Sequence, residues 1–295
     1  MLLPKIALIV TQRERFCLTK LSLDSILADL SYPFELIYVD GGSPPDVYQY
    51  LQEQADKHEF MMLIRQENYL RQNVAKNLAL PLAQAADYLV FIDNDIIVET
   101  GWLKPIVDCA EQEQASIVAP LILEGNPKLP EKQVHIAGVN FKFEQQESGQ
   151  RWLKLQHLMH HVKLENQELH RSAVDAVEFH CTLIRRSLLD KVVLDEAFDN
   201  LESHLDLCME AQKLGEKVFV EPSSRVTFLD PRIIDGFDWH DIQFYLFRWS
   251  NKIVIDTLNH AINKWDVDPN DPYWRGLYKW VIEYRGQVTG SWSCC

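Results

Sequence analysis

Positive charge is scarce in this chain. Lys and Arg together number 29 against 43 Asp and Glu, a formal net charge of −14 over 295 residues. That balance argues against nucleic acid and against an anionic membrane surface, both of which favour basic patches. Long hydrophobic runs are lacking too: no apolar stretch approaches the ~20 residues of a membrane span. The six cysteines, Cys17, Cys109, Cys181, Cys208, Cys294 and Cys295, show no paired metal-site spacing. Their scatter suits a reducing compartment. Cys294-Cys295 is read as an unstructured end rather than a lipidation site. Met1-Leu-Leu-Pro-Lys5 leads straight into a strand, so no signal peptide is expected and a cytoplasmic location is. Internal repeats are absent.

What is present is apolar and regularly punctuated. About 47% of the residues are apolar, enough for one large domain or a domain with an appendage. Lys5 to Val10 reads as a buried strand, and Phe16 to Leu30 continues at roughly helical spacing. Phe34 to Val39 is a second strand, ended by Asp40-Gly-Gly-Ser43. Pro44-Pro45 opens a helix, Met61 to Ile64 is a third strand, and a helix running to about Ala86 should kink or split at Pro81. Leu89 to Ile92 is a fourth strand. This alternation predicts an α/β fold with a mostly parallel sheet and helices on both faces. Ser116 to Leu123 is strand-like, with Pro120 implying an edge or a bend. Val134 to Phe143 is extended around a turn at Gly138. Val174 to Ile184 reads as one strand and Val218 to Val220 as the last. Ser203 and Asp206 fit a capping box for a helix from about His204 to Leu214, with Gly215 at its C-terminal end.

Carboxylates gather at the strand ends. Asp93 and Asp95 close the fourth strand and Asp40 the second, along the sheet edge where open α/β folds bind ligands. Two adjacent like charges are costly without a cation between them. Hard oxygen ligands suit magnesium or manganese carrying a phosphate. The bland alternative is a solvated Asp-Asn-Asp turn. His157, His160, His161 and His170 lie in a polar stretch, but their irregular spacing favours a solvated or substrate-facing loop over a zinc site.

Taken together these residues resemble the family 2 glycosyltransferases of GT-A fold, over about Lys5 to Asp230. The likeness rests on Thr11-Gln-Arg13, Val39-Asp-Gly-Gly-Ser43, Asn68-Tyr-Leu-Arg-Gln-Asn-Val-Ala-Lys-Asn77, Asp93-Asn-Asp95, Leu183-Ile-Arg-Arg186 with Phe198, and the Asp206-Leu-Cys helix with Gly215. It implies a GT-A domain over 1–230, with a nucleotide-binding half to 123 and an acceptor half from 124, and a helical appendage over 231–295. The implied activity is sugar transfer from a nucleoside-diphosphate sugar, UDP- or GDP-linked, to a hydroxyl of a glycan, a lipid-linked sugar or a small molecule, normally with inversion. By that resemblance Asp40 contacts the base, and Thr11, Arg13, Arg71, Lys76 and Asn94 line the nucleotide site. Asp93 holds ribose or metal, and Asp95 ligates Mn2+ or Mg2+.

Three departures stand out. The family's Glu-Asp-x-Asp-Leu, whose second acid is the base, is here Glu202-Ser-His-Leu-Asp206-Leu207. Glu202 is therefore the first candidate base and His204 the second, against the bland reading of Glu202 as an exposed acid favoured by a helix dipole. Phe228 replaces a metal-binding histidine, so a third protein ligand is not identified. Leu70 replaces a glycine, narrowing that loop. His180 is either an acceptor contact or a satisfied buried histidine. The aromatic stripes from Phe237 to Asn263 and Tyr273 to Tyr284 read as core or docking surface, at an acceptor, partner or peripheral membrane contact. Two other classes stay open. A catalytically degenerate relative would bind nucleotide or glycan, or serve as an interaction module. A nucleotidyltransferase would want a Gly-rich basic loop, and Thr11 to Phe16 has no glycine.

Overall fold

The structure, a computed structural model, describes residues 3–290 except 127, 128, 130, 148, 166, 167, 199, 200, 234 and 235. Cys294 and Cys295 lie outside the described residues. Strands β1 (Ile6–Thr11), β2 (Glu35–Gly41), β3 (Met61–Gln66) and β4 (Tyr88–Asp93) form a parallel block in the order β3-β2-β1-β4. Every residue of β1 and β4 is buried, as a sheet covered on both faces requires. Helices α1 (Thr19–Leu27), α2 (Pro45–Lys57) and α3 (Gln72–Ala79) make the crossovers. Pro81 splits the last as expected, leaving a short 3-10 turn over Leu80–Ala83.

The sheet continues past β4 with mixed polarity. After β5 (Ile96–Val98) and α4 (Leu103–Glu113) come β6 (Ile117–Glu124), β7 (Gln133–Ile136), β8 (Val139–Gln145), β9 (Arg151–His157), β10 (Ser172–Val174) and β11 (Cys181–Arg185). The chain then runs through α5 (Arg186–Leu189), α6 (Ser203–Lys213) and β12 (Val218–Phe228). The full order is β10-β12-β6-β11-β4-β1-β2-β3, with β5 on β12, β7 on β6, and β8-β9 as a separate hairpin.

Several local expectations need correction. β6 is an interior strand, not an edge. Pro120 is tolerated because it faces Glu221, where the register of β12 shifts before Arg225, so the missing N–H falls at an irregularity. That irregularity also carries β12 past Pro222 to Phe228, well beyond the expected end at Val220. Val174 to Ile184 is two strands, β10 and β11, separated by a turn that presents Glu178 and His180. The polar stretch after Glu144 contains β9, paired along its whole length with β8.

The last correction concerns α6. Ser203 and Asp206 form no capping box. The N-cap is Glu202, in a left-handed conformation (φ 62°), and no side chain caps the helix. The buried carboxylate of Asp206 instead accepts from Trp265 Nε1 and Lys264 Nζ, each at 2.9 Å. Both donors belong to α8 (Asn251–Trp265), which lies between α7 (Trp239–Arg248) and α9 (Pro272–Gly290). These C-terminal helices bury Tyr245, Trp249, Val254, Trp265, Trp274 and Tyr284 in the same core as the sheet. No helix among the described residues is long and apolar enough to cross a membrane.

Replacing Asp206 by Ala leaves a buried indole N–H unpaired, a loss of about 1–3 kcal/mol. Urea unfolding of Asp206→Ala should show a lower midpoint and an unfolding free energy reduced by that amount. An unchanged midpoint means α8 is not held through this carboxylate.

Candidate active site

Strand register assembles the site. Thr11 lies opposite both Val39 and Asp93, so the ends of β1, β2 and β4 coincide. β11 runs antiparallel to β4 with Cys181 opposite Ile92, and Asp93 N–H donates to the His180 carbonyl at 3.0 Å. His180 thus arrives beside the Asp pair. Its Nδ1 lies 3.1 Å from Asp93 Oδ2, and one ligand atom from each of Asp93, Asp95 and His180 lies within 4.8 Å of the others. All three residues are buried. His180 stacks on Phe228 with ring centroids 4.4 Å apart. An imidazole is therefore present where Phe228 stands, but it comes from the turn before β11.

Arg13 lies in the same cluster. Its Nη1 is 3.0 Å from Glu14 and 3.4 Å from Asp95, its Nε is 3.5 Å from Asp93, and its guanidinium lies over Phe228. The two aspartates respond oppositely. Burial raises the Asp93 carboxyl, but His180, Lys76 and Arg13 outweigh it and hold it below its ordinary value. Burial, reinforced by the charge of Asp93, pushes Asp95 up to about 6 against the pull of Arg13. Asp95 Oδ1 is buried with no hydrogen-bond partner among the described residues. An oxygen of that kind beside a second carboxylate and an imidazole fits a divalent cation.

The other expected residues fall into two groups. Thr11 Oγ1 is buried at the end of β1 without a partner among the described residues. Lys76 is buried between Phe179 and Phe91, with Nζ 4.7 Å and 5.8 Å from their ring centres. It acts on Asp93 through its charge. Both oxygens of Asp40 are engaged by Gln12, Ser43 and Arg65, with Gln12 Nε2 and Arg65 Nη1 each at 2.6 Å. Asn94 does not face the cleft: its amide accepts from Arg13 N–H and donates to the Arg15 carbonyl and Thr19 Oγ1. It holds the loop that carries Arg13. Arg71 is exposed ahead of α3 and is not among the cleft residues. Its neighbour Gln72, unmarked in the sequence, donates to Asp93 Oδ1 at 2.8 Å.

A cleft of about 510 Å³ opens over this cluster, lined by Arg13, Asp93, His180, Glu202 and His204 among others, with Trp249, Tyr273, Trp280 and Tyr284 from the C-terminal helices. Glu202 is buried, not exposed. Tyr273 donates to its Oε1 at 2.7 Å, and its Oε2 has no hydrogen-bond partner among the described residues. Burial raises its carboxyl to about 7, Tyr273 pulling down and Glu178 pushing up. His204 Nε2 is 3.8 Å from Glu202, and burial lowers that imidazole to about 4. Nothing in the sequence pattern marks Tyr273 as a site residue. Its aromatic stripe is legible there, its role is not.

The histidine stretch separates. His157, His160 and His161 line the cleft with His135, while His170 borders a different hollow.

Leu70 and Gly41 are complementary in size. A Cβ on Gly41 would meet Leu70 Cγ at 2.8 Å and Leu70 Cβ and N at 2.9 Å. Leu70 fills the room that a side chain at position 41 would need. Gly41→Ala should cost about 1–3 kcal/mol through overpacking. Adding Leu70→Gly should recover part of it, giving a non-additive double-mutant cycle in chemical denaturation. Additive losses would show that the two positions do not compete for space.

Comparison with known proteins agrees with this arrangement. The O-antigen biosynthesis protein RfbC of Myxococcus xanthus is 28% identical over 139 residues, 46% of this chain. The chain spans only about a tenth of that relative's length, the match covering 10% of it. Among solved structures, GalNAc-T7 with UDP, GalNAc and Mn2+ superposes with a TM-score of 0.63 at 14% identity, over 95% of this chain and 56% of that one. S. aureus TarS 1-349 gives 0.53 at 14% identity, over 97% and 73%. These likenesses show the GT-A fold. The sequence profile of glycosyl transferase family 2 matches residues 7–193, well over half of the chain, which therefore belongs to that family of glycosyltransferases.

Proposed function

We propose that this glycosyltransferase moves a sugar from a nucleoside diphosphate to an acceptor hydroxyl with inversion, using Glu202 as general base. The observation that carries the reading is the buried Asp93–Asp95–His180 group, with an Asp95 oxygen that has no partner among the described residues, at a cleft that also receives Glu202. Asp93, Asp95 and His180 would hold Mg2+ or Mn2+, which when bound stabilises the negative charge of the departing diphosphate. The GalNAc-T7 structure contains UDP and Mn2+, which supports this assignment.

The chain's own residues supply the rest. Arg13 adds positive charge beside the diphosphate. Thr11 Oγ1 lies at the strand end with hydrogen-bonding capacity to offer. Asp40 meets the base through the donors it holds, Gln12 and Arg65. Glu202, neutral to ionised near pH 7, is matched to removing a proton from a hydroxyl at that pH. Its unpartnered oxygen takes the proton as the acceptor oxygen bonds to the anomeric carbon and the bond to the diphosphate breaks. Tyr273 fixes the carboxylate's other oxygen. His204, with its imidazole lowered to about 4, is the poorer base.

Calorimetric titration with UDP and GDP, with and without Mn2+, tests the donor site. Binding to one nucleotide that needs metal and is lost in Asp95→Ala is expected. No binding of either nucleotide to the folded protein overturns the donor site as drawn.

Glu202→Gln should lower kcat by about 10²–10⁴ with nucleotide affinity unchanged. The sign of the pH effect comes from the ionised form being the active one. Turnover should fall below a pKa near 7 in the native enzyme, and that limb should vanish from the residual activity of Glu202→Gln. An unaltered pH profile in the variant moves the role of base away from Glu202.

A further inference from the structure

We propose that Glu124, His135 and His161 form a second divalent-cation site, of the kind that takes zinc, in the wall of the same cleft. One ligand atom from each lies within 4.8 Å of the others. Two imidazoles and one carboxylate are a nitrogen-rich donor set suited to zinc, whereas the carboxylate pair Asp93 and Asp95 suits a harder ion.

Non-local structure builds the group. Glu124 ends β6 and is buried. His135 is the extra residue at an irregularity of β7, because Ile122 pairs with Ile136 while Leu123 pairs with Val134. His161 lies beyond β9, in a segment whose backbone returns to β7 through His161 N–H on the Val134 carbonyl at 2.9 Å. His135 Nδ1 is 2.8 Å from Glu124 Oε2, and His161 Nε2 is 3.1 Å from Glu124 Oε1. His161 remains substantially exposed, which leaves an open side for water or an acceptor oxygen.

A second observation points to a bound cation. Glu178 Oε2 lies 3.0 Å from His135 Nε2 and 3.2 Å from His180 Nε2. One carboxylate thus accepts an N–H from each ring, the outer arrangement that fixes metal-binding histidines. With Nε2 protonated and the rings neutral, each Nδ1 would carry a lone pair. Those lone pairs face Glu124 and Asp93, at 2.8 Å and 3.1 Å. Lone pairs facing carboxylates at that range repel unless a cation lies between them. A proton on Nδ1 is one such cation, and Glu124 and Glu178 favour it on His135. His161 stacks 3.7 Å from His160, and the His135 ring centre is 6.2 Å and 6.4 Å from those of His160 and His161. A divalent ion in the place of that proton would satisfy Glu124, His135 and His161 together.

The site is separate from the proposed donor metal, and the test separates them. Chelator-treated full-length protein is titrated with ZnCl2 by calorimetry, and with Co2+ by visible absorption. One tight zinc equivalent is expected. His161→Ala should weaken it at least ~10-fold, and Glu178→Gln by about 10–100-fold. Asp95→Ala should leave it unchanged. His161 is exposed, so its variant preserves the fold, which circular dichroism checks; His135→Ala provides the second ligand test. Absence of zinc binding, zinc binding untouched by His161→Ala, or zinc binding abolished by Asp95→Ala each overturns the proposal.

Discussion

Three buried carboxylates, Glu14, Asp93 and Asp95, converge on the one guanidinium of Arg13. That imbalance of charge is the constraint around which the molecule is arranged. Burying a carboxylate is costly unless it is paired and hydrogen-bonded. Arg13 alone does not balance three anions, and the surroundings add to it, Arg248 Nε lying 4.0 Å from Glu14. Gln72 donates to Asp93, the Lys76 charge acts on it, and His180 supports its other oxygen. Glu14 is completed by Trp249 Nε1 and Tyr284 OH, at 3.2 Å and 3.1 Å. Asp95 Oδ1 keeps no donor among the described residues. A fully satisfied network would have been inert; this one keeps an open carboxylate oxygen at the strand end where, in the proposed function, a diphosphate would arrive.

The residues after Asp230 belong to the same electrostatic design. Glu14 is satisfied from α7's end and from α9, Glu202 by Tyr273 of α9, Asp206 by α8, and Asp195 by His260 and Lys264 of α8. Each is an acid on the sheet side closed by a donor from the helical side. Removing the helices would expose aromatic core and leave those carboxylates without these partners. The sequence resemblance fades at 230, yet the cleft is not complete without the helices beyond that point. In the proposed function, recognition of the acceptor falls to that side, where Trp249, Tyr273 and Trp280 face the cleft.

Much of this was legible in the sequence for local reasons. Buried parallel strands read as continuous apolar runs, and their ends read as carboxylates, so β1, β2, β4, Asp40, Asp93 and Asp95 could be placed from periodicity and turn chemistry. What escaped notice depends on pairings between distant segments. His180 meets Asp93 because β11 is antiparallel to β4, and no spacing rule reveals that register. Gln72 was overshadowed by Arg71, a charged neighbour on the wrong side of a helix start. Ser203 and Asp206 satisfied a capping pattern, but Asp206 is buried against Trp265 and Lys264 and its carboxylate accepts from those donors instead. Pro120 pointed to an edge or a bend, because a single strand cannot disclose an irregularity in its neighbour.

The scattered histidines show the same limit from the other side. His135 lies before the polar stretch and His180 after it, so His157, His160 and His161 looked like loop residues without partners. Folding brings Glu124 and Glu178 between them, and the result is a continuous line of contacts from His161 through Glu124, His135, Glu178 and His180 to Asp93. Glu178 is the middle of that line and touches both rings with the same oxygen. A carboxylate so placed cannot favour one imidazole's tautomer without acting on the other. Glu178 is thus a hydrogen-bond acceptor shared by the rings that face Glu124 and Asp93. The two proposed cation sites meet at this one side chain.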